Sequence, residues 1–513
     1  MNFSLDILGL RLCGSKTPAV VLLSTKLGVL RIKELSSRIE AIQIQGRTEL
    51  IAKQEAVLQG ELNEWLRRNE ALWRQKLRET WLKDSDKNSK KIHLSTIIRR
   101  KRNSIDAIKN NDGDWLTSKK DTREHVTYKF SQLFHEEPVC FPQDLEQLIN
   151  PIITHSKNFE LCKVPSPHEI KSTIFDMFNQ KAPGPDGLPA LFYKKYWSTV
   201  GHTVTEAIQS FFTLGRLLKE VNNSFIVLIP KVKNPSFVNH FRPISLCNTI
   251  YKTISKLLVS RLRPLLDKLI SPSQSTFIPS RWIAENQLTA HELLHSFKRR
   301  KVKGGFVALK IDLQKAYDHV NWKFLQAVLS NFGFDDRFVK WVMECVSTVS
   351  FSVLINGGQS KHFFPSRSLR QFILYQEILA RIIDKEHAAG NIKRVKMDVG
   401  GPNFTNVMFA DDIMLFSKVN VTDVFVLNSC LDKYCSWSGQ LINRTKSGII
   451  FFKIVHLNQK RRLKQLLQMK KVPKNVFYLG APLFTSRSKS KDFKYIQDKL
   501  ETRLTGWRSK NLS

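Results

Sequence analysis

The sequence predicts an α+β fold, and three stretches carry that prediction. Val407 to Phe416 is an apolar run broken by two adjacent acids, Asp411 and Asp412, which suits two short buried strands joined at a tight turn with the acids at its tip. Phe306 to Leu313 follows Gly304-Gly305 and reads as another strand, ending at Asp312. Elsewhere the spacing is helical: between about Lys33 and Leu82, Leu58, Leu62, Trp65, Leu66, Leu72, Trp73, Leu77 and Trp81 recur at three and four, with Gly46 and Gly60 as expected breaks.

Composition narrows the partners. A chain of 513 residues has room for roughly three domains, and 42% hydrophobic residues suffice for a sizeable core. Lys and Arg number 81 against 45 Asp and Glu, a formal charge of +36, which favours a polyanion over an acidic small molecule. Nucleic acid fits best. An anionic membrane surface is the rival, but no apolar stretch is long enough to span a bilayer, and Pro18 to Thr25 is too short. Asp6 near the start and the lack of a basic segment before an apolar core argue against a secretory signal. The seven cysteines (Cys13, Cys140, Cys162, Cys247, Cys345, Cys430, Cys435) form no Cys-x-x-Cys pair and no zinc spacing. They read as reduced thiols, so the expectation is an intracellular chain, nuclear or cytoplasmic, not secreted.

In chain order, residues 1–30 carry no assignable signal, and 31–150 read as a helical basic extension. Lys87, Lys90, Lys91, Arg99, Arg100, Lys101 and Arg102 make a dense basic run through a helix, either a phosphate-binding surface or a solvated face. Asn110 to Asp114 is a turn before Trp115. Asn150-Pro151 and Pro165-Ser166-Pro167 place a boundary between about 150 and 165. Lys181 to Pro189 is a Gly/Pro loop, followed by a helix from Ala190 to Trp197 with Lys194 and Lys195 outward. Ser224 to Pro230 is a buried strand, Lys231 to Asn234 a basic turn, and Arg242-Pro243-Ile244-Ser245 begins the return. Lys231 and Arg242 on the two arms either clamp a triphosphate or are ordinary surface groups. A basic amphipathic helix is expected over Ile250 to Leu269. Asn321 caps a helix through Phe332, stopped by Gly333, and a second helix runs from Asp336 to Val346. Phe351, Val353 and Ile355 alternate before Asn356-Gly357, a strong hairpin signal. Ser368 to Gln371 then passes directly into an apolar helix from Phe372 to Ile383.

The acids are the chemistry. Adjacent carboxylates on a dry scaffold repel, so the pair is either a solvated turn or a cation site. Asp312 supplies the separated third acid: strand ends meeting edge to edge would form a carboxylate set for Mg²⁺, which takes oxygen ligands and completes its shell with substrate phosphates. Such a set can hold two metals for in-line phosphoryl transfer. Tyr317, five residues after Asp312, either walls a sugar pocket or is a core tyrosine.

Taken together, these residues resemble the reverse transcriptases of non-LTR (LINE-type) retrotransposons, especially those common in plant genomes. The resemblance runs from about residue 60 to the end. It rests on Phe409-Ala410-Asp411-Asp412, Ile311 to Asp318, Ile229-Pro230-Lys231 with Phe241 to Ser245, Lys181 to Pro189, and Tyr478 to Leu483, in that family's order and spacing. It implies a right-hand polymerase with fingers and palm over 165–485 and a truncated thumb over 486–513. The implied enzyme is an RNA-directed DNA polymerase that uses Mg²⁺, with Mn²⁺ as a substitute. Its partners would be an RNA template, a DNA primer and deoxynucleoside triphosphates, with no membrane. By the same resemblance Asp312, Asp411 and Asp412 are catalytic and metal-binding. Lys231 and Arg242 contact the triphosphate, Tyr317 excludes a ribose 2′-hydroxyl, Gln371 lines the nucleotide pocket, and Lys446 lies near the departing pyrophosphate. Tyr478, Leu479 and Gly480 belong to the primer grip, and the basic run from Lys87 to Arg102 belongs to an RNA-gripping extension.

Departures from the family pattern bear on activity. After Leu369-Arg370-Gln371 the family continues with Gly-Asp-Pro-Leu-Ser-Pro, and here Gln371 is followed by Phe372. Loss of that segment is expected to shorten the next helix and open a pocket wall. Ser280 and Ser368 stand where the family usually has glycine. No upstream endonuclease or RNase H segment is recognised, and the chain stops at Ser513 soon after Trp507. The alternative reading is therefore a catalytically inactive relic that only binds nucleic acid.

Overall fold

The computed structural model describes residues 17–44, 48–77, 90–140, 144–179, 181–300, 305–370, 374–397, 401–452, 455–473, 475–485 and 488–508. Gly46, Lys87 and Gln371 lie outside the described residues. The chain forms two compact units built from alternating stretches. The first takes residues up to His135, Lys163–Val259 and Lys340–Pro365; the second takes Glu136–Cys162, Ser260–Val339 and residues from Ser366 onward.

In the first unit, the helices Thr17–Gln43 and Glu49–Leu77 pair with each other. Leu35 and Ile39 are buried, and Arg31 bonds Glu61 at 2.9 Å. Gly60 does not break its helix. A Cβ there would meet nothing within 4 Å, and a lone exposed glycine costs a helix only about 1 kcal/mol. The sheet of this unit runs in the order Phe241–Cys247, Asn223–Pro230, Ser350–Ile355, Gly358–Gln359. Its central pairing is parallel and the flanking ones antiparallel. Ile226, Leu228, Phe351 and Val353 pack with Val126 and Phe130 of the helix Lys119–Leu133, which Ser118 caps, and with Phe134 at its C-terminal end. Asn356 and Gly357 turn the hairpin with φ of 50° and 84°, as that dipeptide requires.

Three expected helices are redrawn. The first ends at Lys195, and a new one runs from Trp197 to Leu214. Lys194 is partly exposed, and its Nζ donates to Met177 O and Asn179 Oδ1. Pro264 divides the second into Thr249–Leu262, a 3₁₀ turn and Leu266–Leu269, since proline lacks the N–H that an uninterrupted helix needs. The third begins with a 3₁₀ turn at Leu374–Gln376 and runs Glu377–Ala388.

The second unit holds a five-stranded sheet in the order Asn406–Phe409, Asp412–Lys418, Phe306–Asp312, Gly448–Phe451, Lys470–Lys471. The first three pairings are antiparallel and the last parallel. Ala290, Leu293, Leu294 and Phe297 of the helix Ile283–Arg299 bury Phe306, Ala308, Met414, Phe416 and Ile450, with Phe297 stacked on Phe306 at 4.3 Å. This apolar block anchors the strands whose ends carry the acids.

Candidate active site

The sheet brings two of the three acids face to face. Asp412 opens its strand directly opposite Asp312, the last residue of the neighbouring strand. Asp411 sits in the two-residue turn of the hairpin, where Ala410 adopts φ 50°. That left-handed geometry is unusual for a residue with a Cβ, and it aims consecutive carboxylates out of the sheet's end. Leu313 N donates to Asp411 O at 3.3 Å, tying the turn to the adjoining strand.

The loop after Gln440 completes the surroundings. Asp312 N donates to Ser447 Oγ at 3.0 Å, and Asn443 N donates to Asp312 O at 2.8 Å. These bonds place Lys446 Nζ 4.0 Å from Asp312 Oδ1. Burial raises the Asp312 carboxyl above its ordinary range, against the pull of Lys446 and Lys310. Asp411 is raised by burial and by the charges of Asp412 and Asp312. Among the described residues no three His, Cys, Asp or Glu side chains form a ready-made metal cage. The donor set nevertheless suits Mg²⁺ in its usual mode, in which one or two carboxylates share the ion with waters and substrate phosphates.

Tyr317 is half-buried beside this cluster. Its hydroxyl is shielded without a hydrogen-bond partner and is pushed up to about 12 by burial and by Asp411. Its loop is held at the carbonyl of Ala316, which accepts from Tyr375 Oη at 3.3 Å and Gln440 Nε2 at 2.7 Å. Tyr375 was not legible as a site residue because it sits inside an apolar run. Lys310 was also missed. A lysine within an otherwise apolar strand, two residues before an acid and on its face, was the available signal.

The remaining candidates fall in both units. In the first unit, Lys231 and Arg242 lie on the two arms of one hairpin: Ile229 faces Arg242, and Lys231 N donates to His240 O at 2.8 Å. Lys231 Nζ also reaches Asn239 O at 3.2 Å. Lys90 and Lys91 open the helix Lys90–Asn103, along which Arg99, Arg100, Lys101 and Arg102 are exposed. In the second unit, Phe477–Tyr478 and Ala481–Pro482 form a hairpin with Leu479 at φ 48° and Gly480 at φ 88°. Tyr478 requires a correction. It is 1% exposed within the core, so its side chain supports the hairpin and offers no surface to nucleic acid.

Ser280 and Ser368 both adopt the conformations that favour glycine, with φ of 65° and 104°. Strain of this kind costs roughly 1–3 kcal/mol, part of which glycine returns as unfolded-chain entropy. Ser368→Gly is accordingly expected to stabilise the chain by about 1 kcal/mol, read as a raised urea midpoint; an unchanged or lowered midpoint contradicts it.

Glu377 opens the helix Glu377–Ala388. It is 2% exposed, and its carboxylate accepts from Ser271 N and Oγ at 3.0 and 3.1 Å and pairs with Arg381 at 3.3 Å. Burial nevertheless pushes it up to about 7. A carboxyl raised on folding binds more protons folded than unfolded, so it makes stability fall as pH rises from about 4.5 to 7. Glu377→Gln should flatten that slope, which amounts to on the order of 2–3 kcal/mol. Melting curves across this window check it, and an unchanged slope would count against it.

The family described as Reverse transcriptase (RNA-dependent DNA polymerase) matches residues 229–483, a span that includes all three acids. The Transposon TX1 uncharacterized 149 kDa protein of Xenopus laevis is 25% identical over 370 residues, 71% of this chain and 28% of that protein. The Retrovirus-related Pol polyprotein from type-2 retrotransposable element R2DM of Drosophila melanogaster is 23% identical over 315 residues, 61% of this chain and 28% of that one. A Pol polyprotein from type-1 retrotransposable element R2 of Nasonia vitripennis is 22% identical over 241 residues, 46% and 22% of the two chains. The matched region thus spans little more than a quarter of the first two relatives. Among the described residues no helix is long and apolar enough to cross a membrane. Residues 229–483 thus match the reverse transcriptase (RNA-dependent DNA polymerase) family, and the chain is similar to proteins of the transposon TX1 and of the retrotransposable element R2.

Proposed function

We propose that this chain extends a DNA 3′ end on an RNA template from deoxynucleoside triphosphates. The observation that carries the reading is the pairing of Asp312 with Asp412 across two strands, with Asp411 in the turn that leads into the Asp412 strand. Mg²⁺, when bound, lowers the cost of deprotonating the primer hydroxyl and offsets charge on the leaving oxygen. The chain's own residues do the rest. Asp312, Asp411 and Asp412 supply a fixed anionic site, and Lys446 offers an ammonium beside it for the departing pyrophosphate. Tyr317 walls the sugar position, while Lys231 and Arg242 hold the triphosphate. We assign the first unit as fingers, the second as palm, and the helix Lys489–Arg508 as the start of a thumb. Residues 31–150 are the RNA-gripping extension, and the motifs from Lys181 to Leu483, with their order, support kinship with plant elements.

The test is incorporation of labelled deoxynucleotide on an RNA template with a DNA primer and Mg²⁺. Incorporation supports the reading; salt-sensitive RNA binding without it leaves a nucleic-acid-binding remnant. Replacing Arg99, Arg100, Lys101 and Arg102 by Gln should reduce the salt slope of RNA binding by about 0.7 for each phosphate that is no longer neutralised. An unchanged slope excludes that helix from the interface.

A further inference from the structure

Ala316 O belongs to the peptide that precedes Tyr317, and both of its lone pairs are taken. Tyr375 Oη donates to it at 3.3 Å and Gln440 Nε2 at 2.7 Å. Beyond Tyr375 the bonds run on as a chain of buried side chains. Gln376 Nε2 donates to Tyr375 Oη at 3.3 Å, and Gln274 Nε2 donates to Gln376 Oε1 at 3.1 Å. Gln274, Gln376 and Tyr375 are at most 3% exposed. The two ends force the direction of the chain. Thr276 N, a backbone donor, lies 3.1 Å from Gln274 Oε1, which turns the Nε2 of that amide toward Gln376. Each later group must then donate onward, until a carbonyl that can only accept ends the series. The far end is anchored in the sheet. Ser275 N donates to Met408 O at 3.3 Å and Met408 N to Ser273 O at 2.8 Å, so Gln274 lies beside the strand Asn406–Phe409.

Resting on the reading of Tyr317 as the wall of the sugar position, we infer that Tyr375 and Gln376 are positioning residues. They set where this wall stands and thereby how strictly a ribose 2′-hydroxyl is refused. Tyr317 does not hold that place by its own hydroxyl, which makes no hydrogen bond. Its backbone holds it instead: Ala316 O is clamped from two sides, and Tyr317 O accepts from Leu369 N at 2.7 Å. Breaking the chain at Tyr375 releases one side of the clamp and leaves Gln376 Nε2 buried without an acceptor, a cost that the structure lowers only by moving. A wall displaced by a fraction of an ångström admits the additional hydroxyl, because shape alone rejects an added oxygen weakly.

The experiment measures kcat/KM of the full chain for a deoxynucleoside triphosphate and for the matching ribonucleoside triphosphate, on an RNA template with a DNA primer and Mg²⁺. Tyr375→Phe removes one oxygen and keeps the ring. It is expected to lower the deoxy-to-ribo ratio about tenfold, through a lower KM for the ribonucleotide, with deoxynucleotide kcat/KM within about threefold of wild type. Gln376→Met keeps the volume, cuts the chain at its middle and should produce the same fall. Tyr317→Ala should lower the ratio on the order of 10²-fold, and adding Tyr375→Phe to it should change nothing further, because the effect passes through Tyr317. A ratio unchanged in either chain variant, or a further fall of similar size in the double variant, overturns the inference, while the response of Tyr317→Ala keeps the sugar-wall reading. If one chain variant does not fold, the other decides. An unchanged ratio in Tyr317→Ala removes the wall itself and this inference with it. A wild type that incorporates neither nucleotide removes the polymerase reading as well.

Discussion

Asp411→Asn should lower incorporation of deoxynucleotide on an RNA template by on the order of 10³-fold, the scale on which loss of one preorganised electrostatic group slows a reaction. The substitution keeps the size and the turn geometry and removes a charge that lies beside Asp312 and Asp412. Stability should not suffer, because burial already disfavours the charged form of Asp411, so its neutral isostere costs little. The informative outcome is therefore a separation: activity lost, melting temperature unchanged or slightly raised. Retained incorporation in the asparagine variant would remove Asp411 from the centre and, with it, the carboxylate account of metal binding. RNA affinity serves as a further readout and should be unaffected, since the exposed basic groups proposed to meet RNA on the helix Lys90–Asn103 are unchanged.

The largest stability effect is expected at Gly184. A Cβ there would fall 2.2 Å from Asn248 Oδ1 and 2.3 Å from Asn248 N, distances that real side chains do not occupy. Asn248 cannot step aside cheaply. Its Oδ1 accepts from Asp186 N at 3.1 Å, and its Nδ2 donates to Glu220 O and Val221 O at 3.0 and 3.1 Å. Even Gly184→Ala must push the Lys181–Pro189 loop off this hub and strand buried polar groups, a loss of about 3 kcal/mol or more. Gly60→Ala supplies the contrast: it meets nothing and should raise helix stability by up to about 1 kcal/mol. Comparable urea midpoints for the two variants would show that the loop is not seated as described.

What could be read in the sequence follows physical range. The acid hairpin was legible because apolar alternation, a two-residue turn and consecutive aspartates all act within ten residues of one another. Asn356-Gly357 and the Asn321 cap are local for the same reason, and Asn321 Oδ1 does accept from Lys323 N and Phe324 N. The departures arise where a distant partner decides. Tyr478 looked like a surface contact until the core of the second unit closed over it. Pro264 acts locally, breaking a strongly periodic stretch, while Gly60 is tolerated on an exposed helix face. Lys310 shows the limit most clearly, since no spacing rule pairs a lysine with an aspartate 102 residues away.

The parallel pairing of Asn223–Pro230 with Ser350–Ile355 also has a consequence for synthesis. The partner of Asn223 is Ser350, 127 residues later in the chain. At ribosomal rates of roughly 5–20 residues per second, the earlier strand leaves the ribosome on the order of ten seconds before its neighbour exists. During that interval the hairpin formed with Phe241–Cys247 presents an open edge of Phe225, Ile226 and Val227, a surface on which nascent chains adhere to one another. Yield in a translation system should therefore depend on holdase chaperones that act before residue 355 emerges, even though the finished sheet leaves that edge covered.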